Sequence, residues 1–132
     1  MTDISTRLLL EDFALDVEIG IHDFERAAAQ RVLVSVEIEI GPAPETDSID
    51  EALDYDFLRR EIGALAASRR FNLQETFCHG IIGLLLARGE VRSGRVTTRK
   101  PDVYSDCAAV GVEMRFARGT QGTSEASSEP AG

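Results

Sequence analysis

Residues 31 to 40 restrict this chain more than any other stretch. Val32, Val34, Val36, Ile38 and Ile40 alternate with Arg31, Ser35, Glu37 and Glu39. A period of two puts all the apolar side chains on one face, which is the pattern of a half-buried strand in a sheet with one wet side. Such a strand needs partners and a cover for its apolar face. Three further segments supply strand patterns. Residues 6 to 20 place Leu8, Leu10, Phe13, Leu15, Val17 and Ile19 among polar residues; Arg92 to Arg99 reads as a third strand ended by Lys100-Pro101. Ala108 to Phe116 is a fourth, with Val110, Val112, Met114 and Phe116 in alternation.

The cover comes from the middle of the chain. Gly41-Pro42-Ala43-Pro44 breaks regular structure after the second strand. Ser48 and Glu51 then have the spacing of a capping box, and the helix it predicts runs to about Arg69 with Phe57, Leu58, Ile62 and Leu65 inward. Asn72 and Glu75 repeat the spacing before a second helix carrying Leu73, Phe77, Ile81, Leu84 and Leu85. Gly80 and Gly83 each cost that helix roughly 1 kcal/mol relative to Ala, a cost usually accepted for close packing. The order strand, strand, helix, helix, strand, strand predicts an α+β domain, an antiparallel four-stranded sheet with two helices on one face. Residues 118–132 hold no apolar residue beyond two alanines and are expected to be a disordered tail, leaving residues 1–117 as one domain.

Composition narrows the function. Fourteen basic against 23 acidic residues give a formal charge of −9, without the basic footprint of a nucleic-acid binder. No apolar run approaches the roughly 18 residues of a membrane span, and the first residues lack the pattern of a signal peptide. Cys78 and Cys107 are too few for a disulfide framework, so a cytoplasmic location is expected. His22 and His79 are the only histidines, which rules out a three-histidine zinc site within one chain. Of the basic residues, Lys100 alone is a lysine. An arginine does not deprotonate in proteins and a lysine does, so the exception is either chemistry or a survivor of codon bias.

Taken singly, the candidate site residues are ambiguous. Glu25, in the loop Gly20-Ile21-His22-Asp23-Phe24-Glu25-Arg26, reads equally as a solvated carboxylate paired with Arg26. Tyr55 reads as an ordinary half-buried tyrosine, Glu75 as half of a capping box, and Lys100 as a charged strand end.

In order, these segments resemble the dihydroneopterin aldolase family. The resemblance rests on Val17-Glu18-Ile19-Gly20-Ile21-His22-Asp23-Phe24-Glu25-Arg26, Ala52-Leu53-Asp54-Tyr55 and Phe71-Asn72-Leu73-Gln74-Glu75-Thr76. Arg99-Lys100-Pro101 and Ala109-Val110-Gly111-Val112-Glu113 continue it. It spans residues 5 to 117 and implies the tunnelling fold (T-fold), in which four subunits close a barrel and two such rings stack as a homo-octamer. It also implies a retro-aldol cleavage of 7,8-dihydroneopterin in folate biosynthesis, with no metal and no cofactor. Glu75 would bind the amide and amino edge of the pterin, assisted by the main chain of Leu53 and Gln74. Lys100 would be the general base, Tyr55 a phenol that helps protonate the intermediate, and Glu25 the acid near the substrate hydroxyls and Lys100. Tyr55 and Leu53 would face the other residues from a neighbouring subunit, making an isolated monomer inactive.

The match departs from the family at Gln74, where an aliphatic residue is common, at Cys78-His79-Gly80, and in a short loop after Glu25. A 2′-epimerase acting on dihydroneopterin or dihydromonapterin, or on a triphosphate, shares most of these residues and is the alternative, followed by a non-catalytic pterin-binding protein. GTP cyclohydrolase and pyruvoyltetrahydropterin synthase share the fold but use zinc, against which the two histidines argue.

Overall fold

A computed structural model describes residues 2–41, 45–48 and 54–119. Four strands, β1 (Thr6–Val17), β2 (Gln30–Ile40), β3 (Ser93–Lys100) and β4 (Val110–Ala117), form one sheet in the order β1-β2-β3-β4. Every neighbouring pair is antiparallel. Between β2 and β3, which are adjacent in the sheet, the chain makes α2 (Asp56–Ser68) and α3 (Gln74–Leu86). The α+β architecture expected from the sequence is the one observed.

The alternation in β2 dictates the layering. Val32, Val34, Val36 and Ile38 are fully or almost fully buried, as are Phe57, Leu58 and Ile62 of α2 and Phe77, Ile81 and Leu85 of α3. Helix α2 lies over β1, and α3 over β3 and β4. The other sheet face stays wet and charged. There Glu37 accepts from Arg7 and Arg95, and Arg99 meets Asp12 at 2.6 Å. These partly exposed pairs add little stability, because water screens them and ordering the side chains costs entropy.

Several boundaries differ from expectation, each for a local reason. β1 ends at Val17, and only Ile19 pairs beyond it, in a single parallel bridge to Phe71. Within β1, Leu10 pairs with Val36 and Phe13 with Val34, so Glu11 and Asp12 together oppose Ser35. Asp12 adopts φ +54°, and its N–H donates to the Ser35 hydroxyl at 3.0 Å. This β-bulge explains why the inward positions change from even to odd numbers along the strand.

Helix α2 begins at Asp56, with Asp54 Oδ1 accepting the Asp56 N–H at 3.0 Å. A free donor of the first turn is thus satisfied by Asp54. The capping box at Ser48 and Glu51 involves Glu51, outside the described residues. Helix α3 is capped by Leu73 in an extended conformation without a side-chain cap, so the Asn72–Glu75 box does not form. Glu75 stands at the second helical position, one short of the place from which a box carboxylate reaches back. A Cβ on Gly80 would lie 2.9 Å from Leu65 Cδ2, so close contact with α2 does account for that glycine, whereas Gly83 faces open space. The residues from 120 onward, including nearly all of the expected tail, lie outside the described set.

Candidate active site

Val17 closes β1, and the chain then binds sideways to the segment before α3. Phe71 N–H donates to Glu18 C=O at 2.8 Å, and Gly20 N–H donates back to Phe71 C=O at 3.0 Å. Gly20 has φ +126°, and any Cβ there would lie 2.3 Å from Glu25 Cδ. Glycine is therefore required twice over, by the backbone and by the carboxylate packed on it. The loop expected around Glu25 contains a short helix, α1 (Asp23–Ala27). It places Glu25 so that Oε1 accepts the His22 N–H at 3.1 Å.

The other carboxylate oxygen meets the chain's single lysine. Lys100 Nζ, at the end of β3, donates to Glu25 Oε2 at 2.7 Å, and both side chains are less than a tenth exposed. Burial alone raises the Glu25 pKa. Hydrogen bonds from Lys100, the His22 N–H and Gln30, together with the ammonium charge, outweigh it and hold the group at about 2. Glu25 is an anion across the physiological range. Its pairing with Lys100, 75 residues away, replaces the pairing with Arg26 that its neighbourhood in sequence suggests.

This ion pair forms part of an open cleft of about 610 Å³. The opposite contribution comes from the start of α3, where Leu73, Gln74 and Glu75 line the same cleft. Glu75 is exposed, and among the described residues its carboxylate makes no hydrogen bond, so both oxygens face solvent rather than a cap. Phe24 stacks on His22 with ring centroids 5.9 Å apart, and the exposed side chains of Phe24, Leu73 and Tyr104 give the cleft apolar surface.

Of the residues expected from the sequence, Glu25, Gln74, Glu75 and Lys100 converge on this cleft. Tyr55 does not. It precedes α2, is 62% exposed, and does not line the cleft of its own chain. Leu53 lies outside the described residues. Sequence reasoning missed Gly20 and Tyr104. Tyr104 offered one available signal, since the chain has only two tyrosines and this one follows Lys100 by four residues. Among the described residues, no three His, Cys, Asp or Glu side chains are grouped closely enough to hold a metal ion.

A four-stranded antiparallel sheet, two covering helices and a cleft joining a buried acid–amine pair to a carboxylate with no partner among the described residues mark out a small α+β enzyme. The chain belongs to the dihydroneopterin aldolase family, whose sequence model, FolB: Dihydroneopterin aldolase, matches residues 8–115. The dihydroneopterin aldolase of Haemophilus influenzae is 25% identical over 108 residues, covering 80% of this chain and 92% of the relative. The crystal structure of dihydroneopterin aldolase from Burkholderia thailendensis bound to guanine is 36% identical, with a TM-score of 0.78 over 87% of this chain and 93% of that one. The structure of the Escherichia coli enzyme in complex with neopterin shares the fold, with a TM-score of 0.76 at 22% identity over 85% of this chain and 99% of that one.

Proposed function

We propose that the cleft binds 7,8-dihydroneopterin and cleaves it to 6-hydroxymethyl-7,8-dihydropterin and glycolaldehyde. The observation that carries this reading is the buried Glu25–Lys100 contact opening onto the cleft that holds Glu75. The free carboxylate of Glu75 offers two acceptors to two adjacent N–H donors, the pattern of a pterin amide and amino edge. Guanine, bound by the Burkholderia relative, presents the same edge. Gln74, whose main chain together with that of Leu53 would assist this carboxylate, lines the same cleft.

Lys100 takes the proton of the substrate's 2′-hydroxyl. As that oxygen becomes the carbonyl of glycolaldehyde, the C1′–C2′ bond breaks and its electron pair passes into the C6–N5 imine. The resulting enamine is protonated at C1′, so the ring serves as electron sink and electrons balance without an external oxidant or reductant. To act as a base, the ammonium paired with Glu25 must first release a proton to solvent; the neutral amine can then donate one N–H to Glu25 and still present a lone pair to the cleft. A guanidinium cannot, which gives the solitary lysine its reason. Glu25 fixes the amine in place.

Tyr55 enters this scheme from a neighbouring subunit, since it does not line the cleft of its own chain. Apolar Ile21, Phe24 and Leu73, all roughly half exposed or more, suit a cleft closed by a second copy. A ring of four subunits, stacked in pairs, and a reducing compartment that keeps both cysteines free complete the reading.

Anaerobic incubation of the protein with 7,8-dihydroneopterin, with products separated by chromatography, tests it. Release of 6-hydroxymethyl-7,8-dihydropterin, reduced about 100-fold or more in Lys100→Ala, is the expected result. Conversion only to dihydromonapterin would make the chain an epimerase, and binding without product would leave a clamp without chemistry. Co-expressed Lys100→Ala and Tyr55→Phe chains should regain part of the activity that each lacks. Failure to complement would overturn the assignment of Tyr55 to a neighbouring subunit's site.

A further inference from the structure

Besides Glu25 and Lys100, one other polar residue is buried among the described residues, Thr98, with no exposed surface. It lies two positions before Lys100 on the same face of β3. Its hydroxyl donates to Gln74 Oε1 at 2.8 Å, and Gln74 Nε2 donates to the Val110 carbonyl at 3.3 Å. Val110 is the cross-strand partner of Lys100. Cys78 Sγ lies 3.6 Å from the Thr98 oxygen. The hydroxyl has one proton, given to Gln74, which leaves the thiol as the donor in that contact, shared with the Val112 carbonyl at 4.0 Å. Burial pushes the Cys78 thiol up, keeping it protonated for this role. The amide orientation is fixed as well, because only its oxygen can accept from Thr98 and only its nitrogen can donate to Val110.

We propose that the Gln74 side chain is a positioning residue that sets the distance between Glu75 and Lys100, an inference that rests on the function proposed above. An aliphatic side chain would fill the same space without the desolvation cost of an amide. What the amide adds is direction. It ties the first turn of α3, one residue from Glu75, to β3 at Thr98 and to β4 opposite Lys100. The pterin edge held at Glu75 and the side-chain hydroxyl deprotonated at Lys100 belong to one substrate molecule, so the spacing of the two groups must suit its reactive conformation. Slack of about 1 Å between the two groups is enough to cost up to about 100-fold in rate.

Three variants separate positioning from stability: Gln74→Leu, Thr98→Val and the two combined. Each is measured for thermal unfolding, for kcat and KM with 7,8-dihydroneopterin, and for amide exchange across residues 73–77. Gln74→Leu should lower kcat about tenfold or more while KM changes less than threefold. The double variant should regain part of the lost Tm, because Gln74 and Thr98 no longer leave each other unsatisfied, while the Val110 carbonyl and the Cys78 thiol still lose a partner. Its kcat should stay low and its exchange at 73–77 fast, because the tie to Val110 is gone. A kcat within twofold of wild type in Gln74→Leu, or a kcat that recovers together with Tm in the double variant, would overturn the inference. If the wild-type chain cleaves no pterin, the proposed function fails separately and exchange decides the tie. Fast exchange at partly restored Tm upholds it, and wild-type exchange overturns it.

Discussion

Glu25→Gln isolates the electrostatics of the buried pair, because the amide keeps the shape of the carboxylate and removes its charge. Removing one member of a buried pair costs about 3–5 kcal/mol in a dry interior. Here the pair borders an open cleft, and water in that cleft screens it to about 1–3 kcal/mol. Glu25 titrates at about 2 in the folded chain against 4.5 ordinarily. A depressed folded value means that the stabilisation is complete above about 4.5 and is lost as the pH falls towards 2. Wild type and Glu25→Gln should therefore differ by a constant margin from pH 7 down to about 5. By pH 3 roughly half of that margin should be gone. Thermal unfolding across this range, at one protein concentration because assembly shifts Tm, should show a gap of roughly 5–10 °C at pH 7. Titration of Glu37 and the other surface acids cancels in the difference. A gap that is absent at pH 7, or that stays unchanged at pH 3, would refute the assignment of a charged, paired Glu25.

Two further outcomes follow from packing and burial. Gly83→Ala should stabilise the chain by about 0.5–1 kcal/mol in urea unfolding, since a Cβ there meets open space. Gly80→Ala should gain less or lose stability, because Leu65 Cδ2 stands 2.9 Å from the new Cβ and must move. A disulfide thiol reagent should titrate one cysteine in the native protein and two in denaturant. Cys107 is exposed, while Cys78 is buried with its pKa raised by that burial.

The parts of this molecule that rest on short-range pattern were legible in its sequence. Strand β2 is an unbroken alternation because one face meets the helices and the other meets water, so its side chains record their own environment. Strand β1 records the same thing less plainly, since the switch of inward positions between Leu10 and Phe13 is visible only once the bulge is known. Five residues of α1 are too few to show a helical period. The capping box at Asn72 and Glu75 was a correct spacing with the wrong consequence, because the helix began with Leu73 as its cap and left Glu75 free. The site was harder. Nothing local links Glu25 to Lys100 across 75 residues, or Gln74 to Thr98 across 24. The solitary lysine was a hint, and family resemblance supplied the partner. Tyr104 was passed over because a single tyrosine in a loop has no period and no spacing to mark it.

The bulge in β1 has a consequence for shape. Deleting Asp12 on paper leaves Leu10 opposite Val36, Glu11 opposite Ser35 and Phe13 opposite Val34, an ordinary ladder with every apolar side chain still inward. Pairing does not need the extra residue, and Asp12 adopts an unfavourable backbone to occupy it. What an inserted residue does supply is curvature, since it lengthens one strand against its neighbour and coils the sheet locally. A chain lacking Asp12 should keep its core and present a flatter edge. The arc of the sheet, more than its stability, is what removal of that one aspartate should change.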